Sequence, residues 1–281
     1  MSSMKSWAYA GLCALTVLIG CSGDKAGKRP VAQPEPIGNA PSEREPIRPE
    51  RAKNEKVQEL DLNRDYKPDV WTYSVEDKGP DGQPRELKVR KEIDFNGDGR
   101  VDITQYFNER EEKVRESMDQ DFDGKVDSIL FYEKGVNTRT ERDVSGDGKS
   151  DVWLYYEKGK LARKELDLNG DGDADLTQYY DEREEKVRES LDQDFDGKVD
   201  TVLFLEKSLI IRTERDVDGN GKADQWLYYE KGKLARKERD TNADGKVDNW
   251  EYWEGGQVDR IGDDLDGDGN VDRWTKNPNS Q

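Results

Sequence analysis

The stretch Asp143-Val-Ser-Gly-Asp-Gly-Lys-Ser-Asp151, continued by Val152-Trp-Leu-Tyr-Tyr-Glu-Lys-Gly-Lys-Leu-Ala-Arg-Lys-Glu-Leu166, decides how this chain folds. Its first nine residues place Asp or Ser at positions 1, 3, 5 and 9, with Gly at position 6. A run of β-branched and aromatic residues follows, Val152 to Tyr156, then a Gly-bearing turn at Glu157–Lys160, then a second run to Leu166. Such runs on either side of a glycine turn predict a β-hairpin. The return run is much more polar than the outgoing one, so its strand assignment leans on repetition.

The repetition is extensive. Equivalent loops open at Asp61, Asp94, Asp119, Asp143, Asp167, Asp192, Asp216, Asp240 and Asp264; after a first gap of 33 the starts lie 24 or 25 residues apart. Self-similarity at such a fixed period is the mark of a repeat architecture. A longer period of 73 is superimposed, residues 94–166 and 167–239 being nearly the same text, as a duplicated three-unit block would leave them. Glu109–Ser117 thus returns as Glu182–Ser190. Helix formers enrich Glu109–Glu116, but its spacing to neighbouring copies favours a hairpin there too. Four residues past each of the first eight loops stands Tyr73, Tyr106, Phe131, Tyr155, Tyr179, Phe204, Tyr228 or Tyr252; two past all nine stands Trp71, Thr104, Ile129, Trp153, Thr177, Val202, Trp226, Trp250 or Trp274. Residues two apart share a strand face. Each unit therefore offers an aromatic or branched pair for packing on its neighbours, a use favoured over a carbohydrate-stacking platform.

The loops carry the chemistry. Their oxygen-bearing side chains are Asp94, Asn96, Asp98 and Asp102; Asp119, Asp121, Asp123 and Asp127; Asp143, Ser145, Asp147 and Asp151; and Asp167, Asn169, Asp171 and Asp175. The series continues with Asp192, Asp194, Asp196 and Asp200; Asp216, Asp218, Asn220 and Asp224; Asp240, Asn242, Asp244 and Asp248; and Asp264, Asp266, Asp268 and Asp272. Asp, Asn and Gly also make good turns, but turn chemistry accounts for one or two acids per loop, not four converging oxygen donors. Crowded carboxylates repel unless a cation sits among them, and calcium takes six to eight hard oxygens at flexible geometry. Calcium is the expected ligand of these eight loops, with magnesium less suited because of its stricter octahedral demand. In the first loop (Asp61, Asn63, Asp65, Asp69) Tyr66 replaces the glycine and Pro68 follows, so calcium binding is left open there.

The loop resembles the first nine positions of the EF-hand calcium loop. It departs at position 12, where the EF-hand glutamate is replaced by Gln105, Leu130, Leu154, Gln178, Leu203, Leu227 and Thr275, with Glu251 the one glutamate. It is closer to the Asp-x-Asp-x-Asp-Gly-x-x-Asp loops set between β-strands in FG-GAP-like repeats, and the Tyr-Tyr-Glu-Lys-Gly-Lys-Leu hairpin resembles MORN-type repeats. These likenesses span roughly residues 60–275 and imply a calcium-binding β-hairpin repeat.

Charge and composition agree. Acids outnumber bases 64 to 46, a net charge of −18 that eight calcium ions, with 16 positive charges, would nearly cancel. The same balance excludes nucleic acid as a partner, because phosphate contacts need a positive surface. So polar a chain reads as disordered on composition, yet it holds 7 Trp and 12 Tyr. There is no histidine, and the two cysteines, Cys13 and Cys21, lie near the N-terminus. The repeats thus lack disulfides, thiolate sites and the commonest general base.

Lys5 precedes a short apolar run, Trp7–Gly20, as in a secretory signal. Leu18-Ile-Gly-Cys21 resembles the lipobox of bacterial lipoproteins, which implies cleavage before Cys21, acylation of its thiol and attachment to a membrane. Ser22 after the cysteine favours the outer membrane by the same analogy. Residues 21–58 are rich in Pro, Glu, Arg and Lys and read as a disordered tether. An arginine stands four residues before each of the eight later loops: Arg90, Arg115, Arg139, Arg163, Arg188, Arg212, Arg236 and Arg260. Its expected role is to cover aromatic faces or pair with loop acids; gripping an anionic polymer is the alternative.

The expected organisation is a signal peptide (1–20), a tether (21–58), nine repeats (59–276) and a tail (277–281). The expected architecture is all-β, an elongated tandem array of antiparallel β-hairpins with calcium-binding loops along one edge; a closed propeller is the alternative. The expected role is that of an exported, calcium-binding envelope lipoprotein, structural or adhesive, or else a scaffold for an envelope protein or polysaccharide. Catalysis is not expected, and a hydrolase ranks last, since equivalent acids recur in every unit.

Overall fold

The computed structural model describes residues 46–79 and 82–277, all within the compact unit Pro41–Gln281. The expected signal peptide, Cys21 and most of the expected tether therefore lie outside the described residues, as do residues 278–281.

The described residues form 18 strands and no helix. The first six are β1 (Lys56–Leu60), β2 (Val70–Lys78), β3 (Pro84–Ile93), β4 (Ile103–Phe107), β5 (Lys113–Met118) and β6 (Ser128–Glu133). Next come β7 (Val136–Arg142), β8 (Val152–Glu157), β9 (Lys160–Leu166), β10 (Leu176–Tyr180), β11 (Lys186–Leu191) and β12 (Thr201–Glu206). The last are β13 (Leu209–Arg215), β14 (Gln225–Glu230), β15 (Lys233–Arg239), β16 (Asn249–Glu254), β17 (Gln257–Asp263) and β18 (Arg273–Lys276). Each strand pairs antiparallel with the next in sequence, from β1–β2 and β2–β3 through β9–β10 to β17–β18, making one meandering, elongated sheet. Glu109–Glu116 is a turn running into β5, not a helix.

The unit's logic is clearest in β8 and β9. Trp153 lies opposite Glu165 and Tyr155 opposite Arg163, so both pairs share one face, while Leu154 faces Lys164. The polar return strand is held because Arg163, Lys164, Glu165 and Leu166 each have a ladder partner on both sides, in β8 and β10. The turn between them needs positive φ at both central residues, Lys158 (51°) and Gly159 (78°), the primed hairpin geometry that suits the twist of the strands. The β12–β13 turn adopts the same geometry on Lys207 and Ser208, with φ of 50° and 63°. A non-glycine residue in the left-handed region costs roughly 1–2 kcal/mol. Ser208→Gly is therefore expected to raise stability by about 1 kcal/mol in thermal melts, whereas Gly159→Ser should lower it.

The loops connect hairpin to hairpin. Asp167 N–H donates to the Asp151 carbonyl at 2.9 Å, and Asp192 N–H to that of Asp175 at 2.8 Å; the last residue of one loop lies beside the first of the next. Repeated down the array, this bond sets all nine loops along one sheet edge.

The core sits at the N-terminal end. Ile47, Trp71, Tyr73, Val101, Val126 and Ile129 form one buried cluster against which Val57, Val89 and Phe131 pack. Residues 46–55 fall in the stretch assigned to the tether on composition; within them Ile47, Arg48 and Glu55 contact the sheet while most of the rest are exposed. Ile47 is 8% exposed, and β1 begins at Lys56. Arg48 lies 4.5 Å over the Trp71 ring and 3.1 Å from the Glu92 carboxylate, and the Ile47 carbonyl accepts the Thr104 hydroxyl. One isoleucine between prolines has no periodicity, so no hydrophobic pattern marks it.

Candidate metal centres

Each acidic loop is first a backbone device. In the loop Asp143–Asp151, Asp143 accepts from Gly146 N–H at 2.6 Å and Gly148 N–H at 2.8 Å. Asp151 closes the loop from the far end, accepting Val144 N–H at 2.5 Å and Ser145 N–H at 2.7 Å. Asp147 accepts Lys149 N–H at 2.7 Å. Gly148 turns the chain at φ 92°, where a side chain would be strained. Even the first loop keeps this frame. Asp61 accepts from Arg64 and Tyr66 N–H, Asp69 from Leu62 and Asn63 N–H, and Tyr66 holds φ 71°.

With the backbone satisfied, carboxylate oxygens converge. Asp119, Asp121 and Asp127 each bring one oxygen within 4.8 Å of the others, and so do Asp143, Asp147 and Asp151. The same holds for Asp192, Asp194 and Asp200; for Asp216, Asp218 and Asp224; and for Asp264, Asp266 and Asp272. These five groups could hold a metal ion. In the loops of Asp94, Asp167 and Asp240 three acids do not come that close; each has Asn third. There Asn96, Asn169 and Asn242 accept the N–H of Asp98, Asp171 and Asp244 at 2.8, 2.8 and 2.9 Å. Asp102, Asp175 and Asp248 each accept the N–H groups of loop residues 2 and 3. The remaining expected ligands, Asp123, Asp196, Asn220 and Asp268, accept the N–H two residues on, while Ser145 hydroxyl donates to Asp143.

The electrostatics follow the crowding. Burial pushes the Asp119 carboxyl up, and the Asp127 charge adds to it. Asp194 is also raised, by loss of water and then by Asp200, Asp196 and Asp192 around it. Asp264 is lowered, first by the Gly269 N–H, and Asp196 by its bond to Lys198. A cation among such carboxylates would relieve the repulsion, and a donor set made of oxygen alone suits a hard cation.

Two features escaped the sequence reading. Lysines at loop position 7 reach the next loop: Lys125, Lys149, Lys198 and Lys246 Nζ donate to the carbonyls of Gly146, Gly170, Gly219 and Gly267 at 2.8–3.3 Å. The recurrence of Lys at that position was the available signal. The arginines cover aromatic faces as anticipated, from Arg163 at 3.9 Å over Tyr155 to Arg115 at 5.3 Å over Tyr106. Their acidic partners are strand glutamates two residues on, as in Arg90–Glu92, Arg163–Glu165 and Arg236–Glu238, and not the loop acids.

Fold and site together define an antiparallel hairpin array with repeated acidic clusters able to take metal ions. No protein-family model matches the chain, and no curated protein matches it either. Among solved structures it is similar to accessory secretory protein 1, 2 and 3 of Streptococcus pneumoniae, at 17% identity and TM-score 0.30, over 47% of this chain and 23% of that one. It is also similar to a mutant of S. aureus TarM in complex with fondaparinux, alpha-GlcNAc-glycerol and UDP, at 14% identity and TM-score 0.21, over 47% of this chain and 20% of that one. The chain thus spans less than a quarter of the length of either structure. The expectation that catalysis is absent is corrected here. One of these structures was solved with UDP and a sugar-glycerol bound, and the exclusion is withdrawn on that finding. Likenesses this weak assign no activity in its place.

Proposed function

We propose that this is a calcium-binding repeat lipoprotein of a bacterial cell envelope, in which metal ions set the stiffness of a structural or adhesive array. The observation that carries the reading is the recurrence of three-carboxylate clusters in five loops along one sheet edge. Hard oxygen donors at flexible spacing favour calcium over magnesium. Extracellular calcium modules bind at about 10⁻⁴–10⁻³ M, so such sites would fill after export. Anchoring through Cys21 would hold the array at a membrane, the outer membrane by the lipobox analogy, with residues 22–45 as the reach between them.

Metabolic labelling with a radioactive fatty acid tests the address. The full chain should carry label and sediment with membranes, and Cys21→Ala should carry none. An unlabelled wild-type chain in the soluble fraction would overturn the anchoring.

A further inference from the structure

The segment at Ile47-Arg48 fills a site that the repeat architecture builds twice. In the first copy Ile47 packs among Trp71, Tyr73, Val126 and Ile129, while Arg48 covers Trp71 and pairs with Glu92. Glu92 is held from the sheet side by Tyr73 hydroxyl at 2.9 Å and by Arg90 Nε at 3.1 Å, with Arg90 4.0 Å over the Tyr73 ring. Three repeats on, Glu165 takes the same partners: Tyr155 hydroxyl at 2.9 Å and Arg163 Nε at 3.2 Å, with Arg163 3.9 Å over Tyr155. Trp153 stands in the place of Trp71, Val199 and Val202 in those of Val126 and Ile129, and Thr177 in that of Thr104. The third block breaks the pattern, because Trp250 replaces the threonine.

The second copy is shallower, with Ala174, Ala162 and Val202 where the first has Val101, Val89 and Ile129, and it is less covered. Val126 is 4% exposed and Val199 44%; the Glu92 side chain is 0% exposed and that of Glu165 18%. A partly buried carboxylate carrying one guanidinium has room for a second, and the partly exposed Trp153 suits one stacked above it. Between residues 22 and 58, Ile47-Arg48 is the one branched aliphatic followed by arginine. The rest of that segment lacks the pair, and a second copy of the chain has its own pair engaged. A net charge of −18 draws an arginine-bearing segment toward the array.

We propose that the face around Trp153, Tyr155 and Glu165 docks an extended segment of a separate protein that presents a branched aliphatic residue followed by arginine. The site is independent of the metal loops and extends the envelope role to recruitment.

The probe is a fluorescent peptide of the sequence of residues 45–51, Glu-Pro-Ile-Arg-Pro-Glu-Arg, titrated against the full chain in detergent with calcium present. Saturable binding is expected. It should weaken at least tenfold when alanine replaces the peptide's first arginine, and at least tenfold in the Glu165→Gln and Trp153→Ala chains. Glu165→Gln is nearly isosteric, so its melting temperature serves as the check on folding. Absence of saturation up to millimolar chain, or affinity unchanged by Glu165→Gln, overturns the proposal. So does binding that appears only once residues 22–45 are deleted, which would make the chain's own segment the occupant. Self-association abolished by Trp153→Ala would assign the face to a second copy and overturn it equally.

Discussion

A chelator is expected to strip the array of most of its stability, with a melting temperature that rises steeply with added calcium and little with magnesium. At about 1 mM calcium and a Kd of about 10⁻⁴ M, each filled site contributes about 1.4 kcal/mol of folding free energy. Five such sites give about 7 kcal/mol, comparable with the whole stability of an ordinary domain. Nothing else in the repeats is placed to replace that term. Past Ile129 the sheet has half-buried aromatics but, among the described residues, Leu227 as its one buried large apolar side chain. Without the ion, the carboxylates in each of the five clusters face one another within 4.8 Å. Asp151→Asn separates the loop's two tasks, since the amide oxygen can still accept the Val144 and Ser145 N–H groups while one carboxylate is lost from its cluster. That variant should melt close to wild type in chelator and gain less from calcium. Circular dichroism across a calcium series reads both effects.

The second large effect is expected at Ile47. Cutting a buried isoleucine to alanine costs about 2–5 kcal/mol, and here it removes the residue joining three repeats, through Trp71, Val101 and Ile129. Because repeat units contact only their neighbours, the damage should stay local. Hydrogen exchange should quicken in β1–β6 by a hundredfold or more, while β12–β17 keep their protection. Uniform quickening along the sheet would show instead that the array unfolds as one unit.

How much of this was legible in the sequence depends on what repeats. The hairpins were, because Lys158-Gly159 can close a primed turn and Trp153 and Tyr155 fall on one face. The polar strand Lys160–Leu166 was legible only through its spacing, since its stability comes from ladder partners on both sides and not from its own residues. The loops were legible as oxygen clusters but not as backbone caps. Most of their oxygens accept N–H groups, and the difference between the Asp143 loop and the Asp167 loop turns on whether three carboxylates converge. Ile47 and Arg48 were illegible for the opposite reason. They occur once, amid proline and charge, and their meaning lies in a pocket made by three distant repeats.

Titration calorimetry of the full chain with calcium, after chelator treatment, tests the account most directly. Uptake of at least five ions per chain at sub-millimolar to millimolar affinity is the result expected, with heat lost stepwise as Asp127, Asp151 and Asp200 are changed to asparagine. No uptake at millimolar calcium would contradict it, and the acidic loops would then be turns and nothing more.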